Sequence, residues 1–281
     1  MRLLVLGMCR TGTSSLAIAL RKLGYTPHQM RDLLSSPSDL ALWQEAINLT
    51  LLATPSGPSP RKQPPFKKPE FDKLLADYDV AMDLPSCIFA KELLEVYPEA
   101  KVILTKRAYG DWEKSMRESI WCLDTWRLFA LCRWFNLTQL APLIRLVHSL
   151  FLVHNGNTYS GPKAQAAFEK HYDTVRSLVP ANRLLELDTD GEIGWETLCG
   201  FLGEEVPPGE GKFPRVDEEK GMRRGLEQAW WGMVWYFALL VVLPGGVVVV
   251  GLVAWVWAEE LWGWRDAVLG VGRRYLETGE W

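Results

Sequence analysis

Cysteine is sparse in this 281-residue chain. Its five residues, Cys9, Cys87, Cys122, Cys132 and Cys199, form no paired metal spacing and no disulfide framework. That excludes a zinc module or a cystine-stapled scaffold and fits a reducing compartment. Charge of one sign is not in excess either. Lys and Arg number 31 against 34 Asp and Glu, a net charge of −3. There is no basic footprint, so nucleic acid is not an expected partner. No cleavable leader is expected, because Leu3 to Leu6 already reads as a core strand. The Asn-x-Thr sequons at Asn48 and Asn136 are then accidental. Finally, no charge occurs between Ala229 and Ala258.

What is present begins directly after the first apolar run. Gly7-Met8-Cys9-Arg10-Thr11-Gly12-Thr13-Ser14-Ser15-Leu16 joins a strand to a helix ending near Gly24. A strand, a glycine turn and a helix start make a phosphate cradle, with backbone N–H groups and the positive end of the helix dipole facing the anion. The spacing is Gly-x-x-x-x-Gly, as in a P-loop, but Thr13 stands where the P-loop lysine belongs. The loop suits a phosphate-containing ligand, yet not ordinary nucleotide hydrolysis. Glycines between strand and helix often serve only the turn. Three hydroxyls after the second glycine weigh for a ligand, since helix N-termini carry unpaired donors.

Residues 1–218 read as one α/β domain. Short β-like runs occur at Leu3–Leu6, Val80–Met82, Val102–Thr105 and Arg183–Leu187, with helical patterns between them. That alternation predicts a P-loop-type three-layer domain around a central, mostly parallel sheet. Thr54–Pro69, rich in Pro, Ser and Lys, reads as an exposed loop leading to a helix from Pro69 through Leu75. Gly161-Pro162 precedes a helix over Lys163 to Leu178. The apolar region Ile120–Val153 is interrupted by Arg127, Arg133, Arg145 and His148. It reads as a helical pair packed on the domain, or less readily as a greasy substrate lid or membrane-contact surface.

Residues 219–281 form an apolar helical tail. The charge-free run 229–258 is long enough for a transmembrane segment. Trp230, Trp231 and Trp235 flank one end; Trp255, Trp257, Trp262 and Trp264 flank the other, as in interfacial belts. Pro244-Gly245-Gly246 lies mid-run and breaks or kinks a helix, so a re-entrant hairpin competes with a single span. Lys220, Arg223 and Arg224 precede the run. By the positive-inside tendency they place the N-terminal domain in the cytoplasm, although Arg265, Arg273 and Arg274 follow it.

A second cluster sits about ninety residues after the loop. Lys101-Val102-Ile103-Leu104-Thr105-Lys106-Arg107 ends a strand in cations; Asp111 is placed to cap the next helix, with Ser115 one turn in. Ligands of open α/β sheets bind beyond the strand C-termini, so Arg107 shares an edge with the glycine loop if the strands are neighbours. A guanidinium and a hydroxyl suit a second phosphate, although taken alone Arg107 and Ser115 read more readily as a surface arginine and a routine helix serine.

These residues resemble the sulfotransferase superfamily, which uses 3′-phosphoadenosine 5′-phosphosulfate (PAPS), and within it a fungal and protist branch. The likeness rests on Arg10 to Leu16, Asp83-x-Pro85, Tyr97-Pro98-x-Ala100 to Thr105-x-Arg107, Trp112, Phe201-Leu202-Gly203 and Phe213-Pro214-Arg215. It implies that Arg10, Thr11, Gly12, Thr13, Ser14 and Ser15 hold the 5′-phosphosulfate. Arg10 would stabilise charge as the sulfuryl group leaves. Arg107 and Ser115 would hold the 3′-phosphate, and no metal is required. The acidic residue and proline usual after the strand arginine are replaced by Ala108 and Tyr109.

The implied reaction is in-line sulfuryl transfer to a hydroxyl or amine of a small, lipophilic acceptor. Asp83 and His28 are the candidate bases, Asp83 first because it ends a strand on the active edge. Asp83 reads nearly as well as a cap for a helix from Ser86. A lone His28 is more often a satisfied core or surface residue. Two rivals remain open: a P-loop NTPase or small-molecule kinase with Asp83 as a magnesium ligand, and a catalytically degenerate, membrane-tethered binding protein.

Overall fold

A computed structural model describes residues 1–34, 36–53, 63–121, 141–189, 191, 193–209, 211–216, 228, 230–232, 234–236, 238–239 and 243–278. Five strands are described: β1 (Leu3–Val5), β2 (Pro27–His28), β3 (Val80–Met82), β4 (Lys101–Lys106) and β5 (Leu184–Asp188). They form one sheet in the order β2-β3-β1-β4-β5, with every pairing parallel. β1 lies at the centre, Val5 level with Met82 of β3 and Ile103 of β4. The chain leaves β1 toward one edge, returns at β3, then crosses to β4. The crevice beyond β1 is thus the topological switch point, where open α/β sheets bind ligands.

The pleat divides the core into two layers. Leu3, Val5, Val80, Met82 and Ile103 face α1 (Thr13–Lys22) and α8 (Trp195–Leu202). Leu4, Leu6, Ala81, Val102 and Leu104 pack with Trp43, Phe71, Phe89, Trp112 and Phe151 on the opposite face. Helices there include α2 (Pro37–Ala46), α3 (Lys68–Leu74), α4 (Ala90–Val96), α5 (Tyr109–Glu118), α6 (Ala141–Asn155) and α7 (Pro162–Leu178). Both faces of β1 are covered, which is why its sequence is uninterruptedly apolar. This is the expected three-layer arrangement. β2 was not foreseen: two residues leave no alternation to read.

Three details differ from expectation. The helix after β4 begins at Tyr109 with Ala108 as N-cap, so Asp111 lies in its first turn and does not cap it. A carboxylate there still favours the positive helix end. Pro85, and not Asp83, holds the N-cap position of the 3₁₀ turn Ser86–Phe89. In α6, Leu143, Ile144, Leu146, Val147, Leu150 and Phe151 are all buried, so this part of the apolar region is core and not a lid. Residues 122–140, residues 54–62 of the expected loop, and Lys220, Arg223 and Arg224 lie outside the described residues.

The chain divides into two compact units, Met1–Leu226 and Glu227–Trp281. The second contains α9 (Leu243–Thr278). Pro244-Gly245-Gly246 lies at the described start of this helix. Residues 229, 233, 237 and 240–242 of the charge-free run lie outside the described residues. Among the described residues no single helix is long and apolar enough to cross a membrane. Leu243–Ala258 and Trp262–Gly270, bent by 47°, satisfy length and composition together.

Candidate active site

The glycine loop is set by close approach. A Cβ on Gly7 would overlap the hydroxyl and backbone of Thr105 in β4, so only glycine lets β1 run on beside it. Gly12 is the N-cap of α1 at φ 80, and a Cβ there would meet Thr189 Cγ2 at 2.5 Å. Leu16 N–H closes the first helical bond onto Gly12 O, 3.1 Å. A glycine N-cap brings no side chain to the first-turn donors, leaving that end suited to an anion.

The rest of the loop is tied down by groups far along the chain. Trp112 Nε1 donates to Cys9 O (2.8 Å), and His171 Nε2 lies 2.7 Å from Leu6 O. The Tyr172 hydroxyl accepts from Met8 N–H at 3.3 Å and donates to Thr105 O at 3.0 Å. The Thr11 hydroxyl donates to Met8 O at 2.5 Å and lies 2.7 Å from Thr105 Oγ1. Thr11 is wholly buried, so its side chain braces the loop and only its backbone can serve a phosphate. Thr13 is also buried; Ser14 and Ser15 are half-buried. Ser15 Oγ accepts from Val216 N–H (3.0 Å), which fastens the Phe213–Val216 segment along α1.

Arg10 projects from the loop at φ 66 and its Nε donates to Ser115 Oγ of α5 at 3.1 Å. Both side chains are buried. The structure thus joins the cation expected at one phosphate with the hydroxyl expected at the other. Arg107 follows β4 on the same sheet edge and is half-buried. Asp83 ends β3 at φ 62, also half-buried, on the other side of β1. Left-handed backbone on Arg and Asp costs about 1–2 kcal/mol each. Of the three described non-glycine residues at positive φ, these two lie where strands meet the crevice, as strain at functional sites does; the third, Asn157, follows the helix over Ala141–Asn155.

His28 ends β2, level with Ala81 of β3. Its ring is buried against Trp43 and Tyr78, with centroids at 5.6 and 4.9 Å, and its Nδ1 has no hydrogen-bond partner. Burial pushes its pKa down to about 4. It is neutral at pH 7, but its ring is buried where the half-buried Asp83 is not. Burial lowers His154 of α6 to about 3. The unfolded chain protonates these histidines near 6.5, whereas the folded chain resists until pH 4 and below. Their contribution is complete above pH 6.5 and is lost as pH falls toward 4, at about 1.4 kcal/mol per unit for each group. Thermal unfolding followed from pH 7 to 4 should show a falling Tm, and His28→Gln should flatten that fall. A parallel fall in the variant removes His28 from the account.

Three comparisons bear on this site. Residues 2–222 match the family described as a sulfotransferase domain. The chain is 34% identical over 278 residues to Ava biosynthesis cluster protein M of Aspergillus versicolor, covering 97% of this chain and 100% of that protein. That match takes in most of the C-terminal unit as well. A solved sulfotransferase from Alicyclobacillus acidocaldarius shares 13% identity, covers 85% of this chain and 95% of its own, and superposes with a TM-score of 0.37.

Proposed function

This chain belongs to the sulfotransferase family, and we propose that it transfers a sulfuryl group from PAPS to a hydroxyl or amine of a small, lipophilic acceptor. The observation that carries this reading is Arg10, held by Ser115 inside a glycine cradle whose P-loop lysine is absent, with Arg107 on the same edge. The residues suit such a donor. The first-turn N–H groups of α1 and the hydroxyls of Ser14 and Ser15 face the phosphosulfate. The Arg10 guanidinium takes up charge on the departing side of the sulfuryl group. Arg107 recognises the 3′-phosphate. Asp83 accepts the acceptor's proton, with His28 second because its ring is buried. PAPS supplies the transferable sulfuryl group.

Isothermal titration with adenosine 3′,5′-bisphosphate and with ATP tests the donor. Tight bisphosphate binding without magnesium is expected; magnesium-dependent ATP binding with no bisphosphate binding would reverse the reading in favour of a kinase or NTPase. Transfer of labelled sulfate from PAPS to a panel of hydroxylated lipids and phenols then separates an enzyme from a degenerate binding module.

The exposed apolar character of the C-terminal unit is what favours a lipophilic acceptor in this proposal, in which that unit attaches the protein to a membrane with the sulfotransferase domain in the cytoplasm. Its support is composition and exposure. Val247, Val250, Trp255, Val256 and Trp257 of α9 are each more than half exposed, over a stretch without charge. Eight of the fourteen Trp lie beyond residue 218. The full-length protein should therefore float with phospholipid vesicles, with a blue shift of Trp emission. Protein that stays at the bottom of the gradient, unshifted, removes the membrane from the proposal.

A further inference from the structure

Tyr172 is the residue with the widest hold on the cradle. It sits in α7, 164 residues from Met8, and is 2% exposed. One hydroxyl satisfies two backbone groups on different strands' ends: it accepts from Met8 N–H in the glycine loop and donates to Thr105 O in β4. Thr105 is two residues before Arg107. A second link runs in parallel, from Thr11 Oγ1 to Thr105 Oγ1 at 2.7 Å. Burial raises the phenol pKa, so the hydroxyl keeps the proton that the Thr105 carbonyl needs.

The two phosphate positions are thus not independent. The loop belongs to β1 and Arg107 to β4. Between Gly7 and Thr105 there is no side chain on the loop side to set their spacing. The strand ladder fixes the spacing as far as Leu6 N–H on Ile103 O at 2.9 Å; past that bond it is held by the packing of Gly7 on Thr105, the threonine pair and the Tyr172 bridge. We infer that Tyr172 is a positioning residue that fixes the separation between the glycine loop and Arg107, and so sets selectivity for adenosine nucleotides bearing a 3′-phosphate. Without the bridge the loop still forms, because Gly7, Gly12 and the Trp112 bond to Cys9 remain. What is lost is the registration of one phosphate site against the other. A ligand that uses only the loop is indifferent to that loss; a ligand that spans both sites is not.

This inference rests on the donor assignment above, and the test separates the two. The full chain is titrated with adenosine 3′,5′-bisphosphate and with adenosine 5′-monophosphate, as wild type and as Tyr172→Phe. The wild type is expected to prefer the bisphosphate. Tyr172→Phe is expected to reduce that preference roughly tenfold, the scale of one buried hydrogen-bonded bridge, while monophosphate affinity changes little. Equal weakening of both ligands, or an unchanged preference, overturns the inference and makes Tyr172 a structural residue only. A wild type that binds both nucleotides alike overturns the donor assignment and this inference with it. If Tyr172→Phe does not fold, Tyr172→Gln, which keeps a polar side chain at the position but not the phenol bridge, is titrated in its place and read by the same outcomes.

Discussion

Arg10→Ala is expected to lower PAPS-dependent transfer by about 10²–10³-fold, the range for removing one group that stabilises developing charge. The side chain is buried, bonded to Ser115, and carried on a backbone that a β-carbon disfavours. An arginine held against its backbone preference is retained for its guanidinium and not for the turn. Arg10→Gly supplies the control. Glycine relieves the φ 66 conformation, which offsets the lost Ser115 bond, so Tm should move little while activity falls as far as in alanine. Initial rates with labelled PAPS and a melting curve on the same preparations decide it. Either variant retaining near wild-type rates removes Arg10 from the chemistry.

Gly7→Ala is expected to be the most damaging substitution to the fold of the site. The added methyl has no room, because the nearest atoms are the backbone and hydroxyl of Thr105 in the central part of the sheet. These atoms cannot yield as a flexible side chain would, and overpacking of this kind costs about 1–3 kcal/mol or more. For a domain of this size that is a drop of roughly 2–4 °C in Tm per kcal/mol. The displacement would also separate the glycine loop from β4, so binding of adenosine 3′,5′-bisphosphate should be lost beyond detection. Calorimetry on Gly7→Ala tests both halves. A variant that melts and binds like wild type shows that the β1–β4 approach is not required.

The parts of the site legible in the sequence were those written in adjacent residues. Gly7 to Ser15 announces a strand, turn and helix start, and Val80–Met82 and Lys101–Arg107 announce strands that end in chemistry. Neighbourhood was a different matter. That β1 lies between β3 and β4, which puts Asp83 and Arg107 on either side of the loop, follows from strand order and not from spacing. The bond from Arg10 to Ser115 spans 105 positions and was invisible; the two had been assigned to separate phosphates. Thr11 looked like a donor because it stands beside Gly12, yet its oxygen is turned inward to Met8 and Thr105. Asp111 looked like a cap because carboxylates often are, but the helix starts two residues earlier, from the extended Ala108. His171 and Tyr172 gave no signal, since nothing local distinguishes them from other residues of an amphipathic helix.

The pinning of residues 6–11 by Thr105, Trp112, Ser115, His171 and Tyr172 also dictates when the site comes into being. A ribosome delivers the glycine loop first and α7 more than 150 residues later. Contacts of such sequence separation close late, because the loop-closure entropy must be met before they form. A nascent chain that has emerged only as far as β4 holds the sequence of the cradle but not its shape. The protein therefore acquires its ligand site near the end of the synthesis of its first unit, and nucleotide cannot template the early steps of its folding.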